Sequence, residues 1–135
     1  MKRKSQISME LVITFGFAIL LLLPLTVLMY QHTSETYEKV NNNQASLIAR
    51  KITDSSNSVY YLGYPTTVTL KVYMPSDIRK INITGREVIF TLRNGQEIVS
   101  TANMNLTGSL EPHSGLRYIR ISALEKKVNI TQNVN

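Results

Sequence analysis

The sequence predicts an α+β chain: a long N-terminal helix, first hydrophobic and then amphipathic, followed by a small antiparallel β-sandwich head. Three observations predict it. Leu11 to Met29 carries no charged residue, residues 31–62 contain neither proline nor glycine, and from Thr66 short runs of alternating apolar and polar residues follow, separated by turn residues.

The apolar stretch sets the first element. Nineteen uncharged residues rising about 1.5 Å each reach about 29 Å as a helix, close to the thickness of a bilayer core. Its length exceeds the apolar region of an ordinary secretory signal, and Leu28-Met29-Tyr30-Gln31-His32 offers no small-residue cleavage site. Lys2, Arg3 and Lys4 hold the N-terminus on the cytoplasmic side by the positive-inside rule, which puts everything after Tyr30 outside. Pro24 removes one backbone hydrogen bond from this helix.

Beyond the apolar stretch, Tyr37, Val40, Leu47, Ile48, Ile52 and Val59 recur at roughly helical spacing. Gly63 and Pro65 supply a stop. A helix over residues 6–62 would be about 85 Å long at the standard rise. Asn41-Asn42-Asn43 and Ser55-Ser56-Asn57-Ser58 have low helix propensity and are the places where it would break.

In the head, Val68, Leu70, Val72 and Met74 alternate with Thr67, Thr69, Lys71 and Tyr73, the pattern of a strand with one buried face, and Pro75 ends it. Ile81 to Ile83 forms a second run. Val88–Leu92 and Glu97–Thr101 bracket Asn94-Gly95, a strong hairpin signal; a two-residue turn there would set Phe90 opposite Val99. Further strands are expected near Met104–Leu106, Tyr118–Ser122 and Val128–Ile130, with a turn over Pro112 to Gly115. Six or seven short strands in so short a span suggest a sandwich. Tyr60, Tyr61 and Tyr64 are expected to pack the helix end onto the sheet, with a stacking platform for sugars as the alternative.

The totals bound function. At 135 residues there is room for one small domain plus a helical anchor. The net charge of +6 halves once Lys2, Arg3 and Lys4 are set aside, and the remaining basic residues are scattered in sequence, which argues against a nucleic-acid partner. Cysteine is absent, so no disulfide, thiol nucleophile or thiolate metal site is available.

Gln6, Ser8 and Glu10, lying between a basic leader and a membrane-length helix, carry a resemblance. The chain resembles archaeal type IV pilin-like proteins with a class III signal peptide, whose processing region reads Gln-x-Ser-x-Glu. Looser support comes from Val72-Tyr73-Met74-Pro75, Thr107-Gly108 and Val128-Asn129-Ile130. The resemblance implies a prepilin-type aspartyl peptidase that cuts between Ser5 and Gln6 on the cytoplasmic side. The family often has glycine before the cut where this chain has Ser5. It further implies a cleaved leader over residues 1–5, a transmembrane and assembly half-helix over 6–30, an extracellular helical stalk over 31–63 and a head over 64–135. The expected partners are the peptidase, membrane lipid before assembly, and copies of itself or other pilins afterwards. No cofactor is implied.

Elementary electrostatics gives Glu10 a role of its own. A cut before Gln6 frees an α-amino group four residues from the carboxylate. When helices bundle away from water, a neighbour's amino group would neutralise it, and a mispaired subunit would bury a lone charge at a cost of several kcal/mol. Before assembly, Glu10 would simply be solvated beside a helix N-terminus.

Asn82-Ile83-Thr84, Asn105-Leu106-Thr107 and Asn129-Ile130-Thr131 are N-glycosylation sequons. Each asparagine is flanked by apolar residues, so period-two geometry predicts that Asn82, Asn105 and Asn129 point outward. Catalytic residue types are sparse. His32 and His113 have no ligand spacing, and the acidic residues form no close cluster. The expectation is a structural, adhesive filament subunit and not an enzyme. A membrane-anchored binding module that never polymerises, a minor pilin and a stator of a filament motor remain as alternatives.

Overall fold

The computed structural model describes the backbone of residues 2–133, and the side chains of that span except those of residues 2–5, 34, 35 and 133. One helix, α1 (Lys2–Leu62), precedes seven strands: β1 (Thr67–Met74), β2 (Ile78–Thr84), β3 (Glu87–Leu92), β4 (Glu97–Thr101), β5 (Asn105–Ser109), β6 (Gly115–Ala123) and β7 (Lys127–Asn133). This is the α+β fold expected, with a small sheet head. The chain divides into two compact units, one up to Lys39 and the other from Val40 to Asn135.

In the first unit the helix carries its apolar residues on every side, and Leu11, Phe15, Leu20, Leu25 and Met29 are all more than half exposed. With Pro24 inside it, the segment is long and apolar enough to cross a membrane by length and composition. Thr14, Thr26, Thr33 and Thr36 each donate to the carbonyl four residues back, at 2.8 Å, which satisfies hydroxyls that an apolar surrounding would penalise.

In the second unit, the helical residues from Val40 on form part of the core. Ala45, Ile48, Ala49, Ile52 and Val59 are buried with Leu70, Val72, Met74, Phe90, Ile119, Ile121, Val128 and Ile130 of the strands. Each large side chain removed from water stabilises by roughly 1.5–3 kcal/mol. The polar runs that threatened to break the helix are where it binds the strands and loops. Asn41 donates to Asp77, and Asn42 donates to Gln96 at 2.7 Å. Thr53 shares a 2.8 Å hydrogen bond with Ser100, and Asn57 accepts from the Asn103 amide at 2.9 Å. Ser56, fully buried, donates to the Ile52 carbonyl at 2.7 Å. Tertiary partners outweigh the low propensity of these residues, and the helix runs unbroken to Gly63, whose amide donates to the carbonyls of Val59 and Tyr60.

The strands form two sheets, ordered β1-β6-β7-β5 and β2-β3-β4. All pairings are antiparallel except β5 with β7, which is parallel. The reason is topological: β6 and β7 form a hairpin, and β7 lies between β6 and β5, so β5 meets a strand of its own direction.

The hairpin after β3 differs from the expected register. Phe90 pairs with Ile98, and Val99 pairs with Ile89. Arg93-Asn94-Gly95 is a three-residue loop: the Gly95 amide donates to the Leu92 carbonyl at 3.1 Å, and the Leu92 amide donates to Gln96 at 2.8 Å. Gly95 takes φ 86°, as a type I turn followed by a left-handed residue requires. A Cβ at Gly95 would meet nothing within 4 Å, so Gly95→Ala is expected to cost only the backbone term, about 1 kcal/mol, in a denaturant melt.

The tyrosines at the helix end also differ from expectation. Tyr61 and Tyr64 are 73% and 70% exposed, and Tyr60 meets Tyr61 edge to face with ring centroids 6.1 Å apart. The buried stripe stops at Val59, and at about 100° per residue Tyr61 is carried to the opposite side of the helix.

Candidate functional site

The residues singled out by sequence lie in two places. Gln6, Ser8 and Glu10 are helical and exposed within the first unit. A helix returns to nearly the same direction after four residues, so Gln6, Glu10 and Thr14 share one face. Thr14 Oγ1 donates to the Glu10 carbonyl at 2.8 Å. Glu10 itself is exposed, directly before the charge-free stretch. The backbone of Ser5 is helical as well, while its side chain lies outside the described residues.

The three sequons fall on the strands. Asn105 opens β5 and is exposed, paired with Lys127. Asn129 is half-buried, because β7 is an inner strand and Ser122 and Thr107 sit beside it. Asn82 is half-buried on β2, paired with Ile89. The outward expectation therefore describes Asn105 fully and the other two in part.

His32 borders a shallow groove with Thr33, Thr36 and Tyr37 on its own helix. His113 Nδ1 lies 3.2 Å from Glu111 Oε2, with both side chains largely exposed. Among the described residues no group of three His, Cys, Asp or Glu gathers where a metal ion would be held.

Comparison with protein-family models, with curated proteins and with solved structures finds no match. The local geometry therefore carries the functional argument.

One feature escaped the sequence reading. Lys71, Tyr118 and Arg120, far apart in the chain, become neighbours on one sheet face, because Lys71 pairs with Tyr118 and Thr69 with Arg120. The signal in the sequence was weak: basic residues at alternate positions of strands whose order is not sequential.

Proposed function

We propose that the chain is a structural subunit of an archaeal type IV pilus-like surface filament. In this reading a prepilin-type peptidase cuts between Ser5 and Gln6, residues 11–29 hold the subunit in the membrane with the head outside, and assembly proceeds through the N-terminal helix. The observation that carries it is the register of Gln6, Ser8 and Glu10 against an apolar helix whose residues are exposed on every side. A helix apolar all round suits either lipid or the interior of a helical bundle. The exposed Glu10 carboxylate, one turn beyond the new amino terminus, supplies a charge that a neighbouring subunit's α-amino group would meet. A head-to-tail contact that does not close gives a filament.

N-terminal sequencing of the membrane-associated protein tests the processing step. A start at Gln6 is expected; a start at Met1 would sink the reading.

A further inference from the structure

The two sheets differ in charge. The strands of the four-stranded sheet carry Lys71, Arg117, Arg120 and Lys127 and no acidic residue, whereas those of the three-stranded sheet mix Arg79 and Lys80 with Glu87 and Glu97. Within the four-stranded sheet, Arg117 alternates toward the core side and is half-buried, which leaves Lys71, Arg120 and Lys127 on the outer face, all exposed. None of the three forms an ion pair among the described residues.

Register fixes their layout. Lys71 lies beside Tyr118, the Arg120 position lies beside Thr69 and Thr131, and Lys127 lies four residues along β7 from Thr131. At about 3.3 Å per residue the Arg120 and Lys127 rows are about 13 Å apart, and the Lys71 row lies about 7 Å beyond Arg120. The basic line is thus about 20 Å long, too extended for one small anion. Tyr73 and Tyr118, 69% and 40% exposed, flank its Lys71 end. At the Lys127 end the face runs into an open hollow of about 510 Å³ lined by Tyr64, Leu124, Glu125, Lys126 and Lys127. Between the charges run hydroxyl and amide side chains, with Thr67 donating to Ser122 at 3.1 Å and Asn129 next to Ser122 and Thr107.

We propose that the outer face of the β1-β6-β7-β5 sheet binds anionic polysaccharide, a chain of uronic-acid type. Spaced cations meet carboxylates that repeat along a polymer, the tyrosine faces pack against the apolar faces of sugar rings, and the threonine and serine hydroxyls bond sugar hydroxyls. Charge complementarity selects a polyanion. The hydroxyl-rich filling and the modest density of cations favour a sugar chain over nucleic acid, whose affinity rests on closely spaced phosphates. The proposal gives the adhesive part of the filament reading a ligand class and rests on the head facing outward.

The test uses the full chain, made without glycans so that Asn105 and Asn129 on the same face stay bare, in nanodiscs of uncharged lipid. Binding is read on immobilised polygalacturonate, with neutral dextran and single-stranded DNA as comparison surfaces. Saturable binding to polygalacturonate that weakens with salt is expected. The Lys71→Glu/Arg120→Glu double variant is expected to lose about tenfold or more in affinity, and Tyr118→Ala severalfold. The Arg79→Glu/Lys80→Glu pair on the other sheet matches the charge change and is expected to have little effect. Circular dichroism and thermal melts establish that each variant is folded. No binding by the parent chain, equal loss in both charge-reversed pairs, equal binding to dextran, or tighter binding to DNA would each overturn the proposal. A chain that binds polygalacturonate yet starts at Met1 in the cell would leave this site standing while removing the filament.

Discussion

Gly108→Ala is expected to destabilise the head by about 4 kcal/mol or more, a large share of a small domain's total stability. Gly108 pairs with Ile130 across the parallel β5–β7 contact and has φ 128°. A Cβ added there would lie 1.8 Å from the Ile130 carbonyl oxygen and 2.8 Å from its carbonyl carbon. Neither atom is the tip of a flexible side chain, so the change would push β5 off β7 or force the strand out of its conformation. Both outcomes expose Leu106, Val128 and Ile130, which are buried in the core. Urea unfolding of the full chain in detergent, followed by near-ultraviolet circular dichroism, measures the effect. Gly95→Ala is the internal standard, because it shares a positive φ but meets no atom. If the two substitutions cost the same, the close approach at Ile130 is wrong.

The second large effect concerns Glu10. In Glu10→Gln the side chain keeps its shape and loses its charge. Recovery of the subunit in sheared surface filaments is expected to fall at least about tenfold, equivalent to about 1.4 kcal/mol or more per subunit, while cleavage before Gln6 continues. In the proposed filament the charge would matter only once helices bundle, because a neighbour's α-amino group would then be left buried without its partner, at a cost of several kcal/mol. In the separate subunit Glu10 is exposed, so its stability should not change. Unimpaired filaments from Glu10→Gln would favour a membrane anchor that never polymerises. A protein of low copy number in filaments that other subunits build would instead mark a minor pilin.

Much of the head was legible because period-two alternation is a local signal. β4 occupies residues 97–101 as read, and Leu70, Val72 and Met74 face the core as their alternation with Thr69, Lys71 and Tyr73 requires. The Asn94-Gly95 turn was legible in place but not in register, since the same dipeptide serves a two-residue turn or a three-residue loop with glycine in the left-handed position. Strand order was not legible, because nothing local to Val128–Ile130 says that β7 slots between β6 and β5. The long helix was legible from the run over residues 31–62 without proline or glycine and its stop at Gly63 and Pro65. What stayed hidden was how poor helix formers such as Asn41, Thr53 and Asn57 are held in it, because their partners Asp77, Ser100 and Asn103 lie far along the chain. Gln6, Ser8 and Glu10 were legible as a pattern of spacing, and the structure adds that all three are exposed, with Gln6 and Glu10 on one helical face and Ser8 on the opposite side. The basic face of the larger sheet required knowledge of which strands are neighbours.

The place of β7 also governs when the head can be completed. Among the described residues it is the last strand in chain order, and it supplies the inner partner for both β6 and β5. During synthesis β1 and β6 can pair beforehand, but the open sides of β5 and β6 have no hydrogen-bonding partner until β7 has emerged. Pairing strands distant in sequence is intrinsically slow, and open strand edges invite wrong partners in the meantime. The larger sheet is thus closed only once β7 is in place, and the interval before that is when its unpaired strands are most vulnerable to aggregation and proteases.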